Sequence, residues 1–417
     1  MLTIGGARMT WPRLLAAGAL FFLPYMFLRP ASLLFTVSDA LFVLAGIILI
    51  LGRGAPVSPF GALTPYWYAG VAVMLGALLI SSIAHGSEGR WLSVAAQYAF
   101  SLLALPAILL VSDRARWLFL VRAFVAGVVI MEILTFGILY YYDWDYEALR
   151  GKFGPEFLTG MRRVTGFLGG ANLHSAILCM ALPFVFYLRG SGLMSRLVFA
   201  VSVGLICAGV FYSASFTGFV TLILIAGLFL IVGRVRISPQ FAAGVAAIAF
   251  AYIAAGAPVP GVFEKRVGGA IQDLDLEEAG TFTDRLELIK EAWAKADESM
   301  LVGIGVDRYR TLNELQTPVH NSYMLLWVEG GFPALIGWVT LLLILGFGAL
   351  LIRRERPLDA AVGFCVLAVF VIFSFTSAHM YARVWVAPVI LALGPAFARA
   401  QQLQPMRNTQ GWVGRDN

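Results

Sequence analysis

Charge is scarce in this chain: only 13% of its 417 residues are Asp, Glu, Lys or Arg, against roughly a quarter in soluble domains. With 60% hydrophobic residues and a mean hydropathy of +0.83, that scarcity excludes an ordinary soluble protein. Cysteine is nearly missing as well. Cys179, Cys207 and Cys365 lie far apart inside apolar runs, so no spacing suggests zinc or a redox pair, and they read as small core residues. There is no internal repeat, no low-complexity run and no linker between domains. A signal-peptide cleavage site is also wanting. Arg29 and Pro30 stand where small residues should precede the cut, so the first apolar run is expected to remain as an uncleaved span. The net charge of +6 does not point to nucleic acid, because the basic residues are scattered through short loops rather than gathered on one face.

What the chain has in abundance is apolar runs, and crossing a bilayer takes about 20 such residues. They fall at 13–28, 32–51, 67–84, 91–111, 118–140, 171–188, 196–212, 216–232, 239–256, 332–352, 359–378 and 384–399. The fold class they predict is an all-α polytopic membrane protein of about twelve transmembrane helices. These form a single bundle over 1–399, followed by a polar, disordered cytoplasmic tail at 400–417. One set of loops holds Arg8, Arg13, Arg53, Arg114, Arg116, Arg122, Arg189, Arg196, Arg234, Arg236, Arg353, Arg354 and Arg356. The alternate short loops hold only Arg29, Arg90 and Arg383. The arginine-rich side is therefore expected to be cytoplasmic, with both termini inside and the longer loops at about 141–170 and 257–321 opposite.

The first of these loops is aromatic. Tyr140, Tyr141, Tyr142, Trp144 and Tyr146 read either as an interfacial belt or as a sugar-stacking platform. Arg162 and Arg163 stand just before Gly166, Gly169 and Gly170, where glycine lets the backbone approach a ligand or another helix. One arginine of the two is expected to be a solvated headgroup contact.

The second loop is the longest non-membrane segment and holds much of the charge. Thr281 and Asp284 form a capping box, and Leu286, Ile289, Trp293 and Ala296 recur at helical spacing behind it. Arg285 sits in the first turn of this amphipathic helix, where a cation opposes the helix dipole unless an anion is held there. Gly303-Ile304-Gly305 is a tight turn, too short for a nucleotide-binding fingerprint. His320-Asn321 then precedes renewed hydrophobicity. The plainer reading of His320 is a helix cap, and the functional one is a general base, since imidazole titrates near neutral pH. Glu329-Gly330-Gly331-Phe332-Pro333 marks a break between a short surface or re-entrant helix and the next span. Asp39 and Glu132 are acids within spans, costly in lipid unless paired or functional, and the sequence assigns neither a partner. His174 reads as a polar residue where a span begins, and His85 and His379 as loop residues, the latter with Arg383 on the side of the site.

The order of these pieces resembles the O-antigen ligase and O-antigen polymerase (Wzy-type) family of bacterial inner-membrane proteins. The residues that carry it are Arg163-Val164-Thr165-Gly166-Phe167 with Asn172, then Arg285 through Trp293, Gly303-Ile304-Gly305, His320-Asn321, Tyr323 and Glu329-Gly330-Gly331. The motifs cover about 160–340; elsewhere only the number and spacing of spans agree. Three departures separate the chain from a typical ligase. No second glycine follows Gly331 in Phe332-Pro333-Ala334, Ile289 replaces a leucine, and Ala171 replaces a proline before Asn172.

The resemblance implies transfer of a glycan from an undecaprenyl-diphosphate-linked donor in surface polysaccharide synthesis, be it lipopolysaccharide or exopolysaccharide, at the periplasmic face of the inner membrane. Neither metal nor cofactor is expected. The acceptor would be lipid A-core for a ligase or another lipid-linked glycan for a polymerase. Arg163 and Arg285 would hold the diphosphate and stabilise the leaving group, and His320 would activate the acceptor, with Arg162, Asn321 and Tyr323 supporting. Membrane lipid is the surrounding partner, and no nucleic acid is involved. Two other classes compete: a transporter or flippase, disfavoured by the absence of repeats, and a scaffold, which would leave Arg285 and His320 without a task.

Overall fold

The computed structural model describes residues 2–4, 7–29, 35–52, 54–110, 113–235, 263, 282–313 and 315–402. Two short strands, β1 (Leu2–Ile4) and β2 (Ala7–Met9), pair antiparallel with Thr3 opposite Arg8. The remaining regular elements are helical. First come α1 (Trp11–Phe21), α2 (Val37–Leu51), α3 (Thr64–His85) and α4 (Glu88–Ala99), which continues through a π turn at Phe100–Ala104 into α5 (Leu105–Leu109). Then follow α6 (Arg114–Tyr141), the short α7 (Tyr146–Phe153), α8 (Ala171–Gly190), α9 (Arg196–Ser213) and α10 (Phe216–Gly233). Last are α11 (Phe282–Glu298), α12 (Tyr309–Leu312), α13 (Ser322–Ile352), α14 (Pro357–Ser374), α15 (Arg383–Ala392) and α16 (Gly394–Gln402).

Side chains set the helix starts. Asp113 accepts from the Ala115 and Arg116 N–H groups to begin α6, and Ser195 and Ser215 do the same work for α9 and α10. Among the described residues eight helical stretches are long and apolar enough to cross a membrane, and α2 and α15 are shorter apolar helices. Large apolar side chains such as Ile50, Leu51, Ile80, Leu197, Ile231 and Leu343 point outward, which is tolerable only in contact with lipid.

At the centre stands α8, 83% of whose apolar window is enclosed by α6, α9, α10 and α14. The most extensive pairing joins α3 to α13, where small residues let the backbones touch: a Cβ on Gly337 would lie 2.7 Å from the carbonyl oxygen of Gly70. Helix polarity fixes two ends. Ser215 at the start of α10 bonds Asn172 at the start of α8, while Gly233 at the far end of α10 packs on Leu358 and Ala361 at the start of α14. The end of α14 therefore lies with the starts of α8 and α10. There Ser322 at the start of α13 donates to the Ser377 carbonyl, so Asn172, Ser377 and His320 share one end. Arg114 pairs with Asp359 at 3.0 Å and bonds Tyr187 at the other.

The all-helical polytopic class agrees with the sequence, and several boundaries differ. The expected span 13–28 stops at Phe21 because Pro24 cannot continue a helix; eleven residues reach only about 17 Å. The span 332–352 is the lower part of the 31-residue α13, and 384–399 is broken between α15 and α16. The expected span 239–256, the Thr281 cap and the tail from 403 lie outside the described residues.

Candidate functional site

The aromatic loop folds into a small cap. Leu139, Leu149, Phe157, Leu158 and Val164 form its core, with Tyr142, Trp144 and Tyr146 packed around it, while Tyr140 and Tyr141 stay exposed. This core supports a turn in which the Arg162 N–H donates to the Thr159 carbonyl at 2.7 Å and Leu158 bridges Val164. Arg162 takes φ 56° and its side chain is exposed. Arg163 turns the other way, half-buried. Its Nε donates to the Ser213 carbonyl at 2.9 Å and its Nη2 to Asn172 Oδ1 at 3.4 Å. The same Oδ1 accepts from Ser215 Oγ at 2.9 Å, so the guanidinium is held between α8 and the α9–α10 turn. Asn172, Ser213 and Ser215 are partners that spacing alone did not reveal, because two of them lie some fifty residues away in the chain.

His320 is positioned by the break in α13. Gly331 has φ 71° and ψ 178°, which frees backbone groups on either side of it. The Ile304 and Gly305 N–H groups donate to the Val328 and Glu329 carbonyls at 2.8 and 3.0 Å, and Phe332 N–H donates to the Met300 carbonyl at 2.8 Å. The two glycine motifs thus form one junction. From there Asn313 staples the loop, donating to the Tyr309 carbonyl at 2.9 Å and accepting from Thr317 N–H at 3.2 Å. Val319 is buried against Leu288, Ala292 and Ala378, leaving His320 half-buried beside it.

The capping role expected of His320 belongs instead to Asn321, whose Oδ1 accepts from the Tyr323 and Met324 N–H groups at 3.0 and 3.1 Å. Tyr323 leans on α14, its ring 4.7 Å from that of Phe375.

Arg285 lies in the first turn of α11, and its side chain is outside the described residues. The buried stripe of α11 is Leu288, Ala292 and Ala296 rather than Leu286 and Trp293, which are exposed. Two alanines in that stripe let the helix lie close on α13, and Trp293 meets Trp327 edge-on at 5.0 Å. Tyr309 Oη donates to the Leu288 carbonyl at 2.8 Å, tying α11 to the loop that leads to His320.

Further charges gather at this end. Asp307 pairs with Arg310 at 2.9 Å and with Arg90 at 3.6 Å, and Arg308 donates to the His85 carbonyl at 2.9 Å. Burial holds the His379 imidazole below its ordinary value, partly offset by Asp307. Burial likewise pushes the Tyr381 hydroxyl up to about 12. Both span acids acquire partners. Asp39 completes the capping box of Thr36 at the start of α2 and forms an ion pair with Arg383. Glu132 Oε1 lies 3.2 Å from His174 Nε2, both fully buried, so His174 sits in the first turn of its span, as expected, and faces the bundle core.

These features define a helical, multi-pass membrane protein in which Arg163 and His320 lie at the same end of the bundle. Residues 201–339 match the family model described as O-antigen ligase, which agrees with the resemblance read from the motifs. The matched stretch contains Arg285, both glycine motifs and His320-Asn321, while Arg163 lies upstream of it. It supports a glycosyltransferase-type membrane enzyme of surface polysaccharide synthesis, with lipid-linked glycan and acceptor substrates. No curated protein matches the chain.

Proposed function

We propose that this protein transfers a glycan from an undecaprenyl-diphosphate-linked donor to an acceptor hydroxyl at the periplasmic face of the bacterial inner membrane. The observation that carries the reading is the O-antigen ligase match over 201–339, which brackets the helix bearing Arg285 and the loop bearing His320.

In this reaction the acceptor oxygen attacks the anomeric carbon and its proton passes to the His320 imidazole. The bond from that carbon to the diphosphate oxygen breaks, and undecaprenyl diphosphate leaves with the bonding pair. The negative charge that grows on the leaving group is met by Arg163 and Arg285 through charge-assisted, bidentate bonds. Guanidinium groups are permanent countercharges, so the proposed chemistry calls for neither a metal nor a nucleotide. Direct attack inverts the anomeric centre with a single base, and no carboxylate nucleophile is required.

Arg162 is assigned to the membrane headgroups or the glycan, Tyr323 to shaping the wall beside His320, and Asn321 to fixing the backbone that carries it. Single bundle, large outer loop and cytoplasmic tail are the domain organisation that goes with this reading.

The test is transfer in proteoliposomes supplied with lipid-linked glycan. Arg163→Ala, Arg285→Ala and His320→Ala should each insert normally and abolish product. Normal glycan with impaired lipid translocation would instead identify a transporter. Lipid A-core as the accepted substrate marks a ligase, and elongation of lipid-linked glycan marks a polymerase.

A further inference from the structure

The Glu132–His174 pair lies directly beneath the Arg163 turn, and neither residue has a part in the chemistry above. Two ionisable side chains enclosed in a helix bundle are expensive, and apolar residues of like volume would often be as stable or more so. Their surroundings suggest what they are for. On one side, a Cβ on Gly209 of α9 would collide with Glu132 Oε2, so the carboxylate is pressed against bare backbone. On the other side lies Gly166, three residues past Arg163. A Cβ there would sit 2.8 Å from Thr135 Oγ1 and 3.3 Å from His174 Nδ1. With φ 54°, Gly166 both makes the turn and rests on this imidazole–hydroxyl seat.

The second connection runs through α8. His174 N–H donates to the Gly170 carbonyl at 2.8 Å in the first turn. Two residues earlier, Asn172 receives Nη2 of Arg163. The imidazole therefore touches the Arg163 turn from below and shares a helical turn with the residue that holds the guanidinium. Its Nε2 lies 3.2 Å from Glu132 Oε1, both side chains fully enclosed.

We infer that Glu132 and His174 are positioning residues for Arg163: the buried pair fixes the imidazole on which the Gly166 turn rests, and so fixes where the guanidinium meets a diphosphate. This rests on the proposed role of Arg163. Neither side chain reaches solvent, so both act through the turn.

The test uses purified full-length protein in nanodiscs, with undecaprenyl diphosphate as the probe, its Kd read by fluorescence and the fold by thermal melting. Arg163→Ala should weaken binding about tenfold or more, as expected for loss of charged hydrogen bonds. Glu132→Leu should weaken it roughly fivefold in the wild type and add nothing in the Arg163→Ala background, the non-additivity of residues acting as one unit. Glu132→Gln, which keeps an acceptor for the imidazole, should bind within about twofold of wild type. Should Glu132→Leu not fold, His174→Gln carries the same comparison.

Wild-type affinity in Arg163→Ala overturns the proposed role of Arg163 and this inference with it. Weakened Arg163→Ala beside normal Glu132→Leu overturns the inference alone, as does an equal loss in both backgrounds, which marks a purely structural pair.

Discussion

Gly303 and Gly331 meet backbone to backbone: a Cβ on Gly303 would lie 2.6 Å from the Gly331 nitrogen. Both residues also have positive φ, 77° and 71°, so a side chain at either is excluded by space and by conformation together. Gly303→Ala should separate the loop from the break in α13, at about 1–3 kcal/mol for the strained backbone alone, and displace His320. The expected result is a lower melting temperature with loss of transfer, while Gly76→Ala, which meets nothing within 4 Å, leaves both unchanged.

The division of labour at His320-Asn321 makes a sharper contrast. Asn321→Ala removes a cap and should cost about 0.5–2 kcal/mol, with Asn321→Asp restoring most of it. His320→Gln leaves that cap intact, so it should lose less stability than Asn321→Ala and transfer nothing. Melting curves in detergent beside product gels separate the two effects.

Buried Asp39 forms an ion pair with the half-buried Arg383 at the starts of α2 and α15. Asp39→Asn leaves that guanidinium without its countercharge, a loss below the roughly 3–5 kcal/mol of a fully buried pair. The double substitution Asp39→Leu with Arg383→Met should destabilise less than Asp39→Asn alone. Thermal unfolding of the three variants decides it.

Burial depresses the affinity of His379 for a proton, so at acid pH the unfolded chain binds more protons than the folded one. Stability then rises with pH. It should be lost as pH falls from about 6.5, the ordinary imidazole value, through the lower value in the fold. Melting temperature against pH should decline over that window, and His379→Gln should flatten the decline.

The helical class was legible in the sequence because apolar length is a one-dimensional signal. So were the break at Gly331 and the first-turn place of Arg285. What was not legible depended on contacts between distant segments. Asp39 and Glu132 looked alone because Arg383 and His174 come from other helices. The stripe on α11 was misplaced because Trp293 outweighs Ala292 in hydrophobicity, whereas close packing on α13 selects the smaller residue. Asn321 shows the reverse case: Asn is a favoured cap, and that local preference was available beside His320 all along.

The most direct measurement is glycan transfer by the purified protein in proteoliposomes, from an undecaprenyl-diphosphate-linked donor, comparing wild type with His320→Ala at equal insertion. The account predicts elongated or transferred glycan with free undecaprenyl diphosphate from the wild type and none from the variant. Transfer at the wild-type rate by His320→Ala would contradict it.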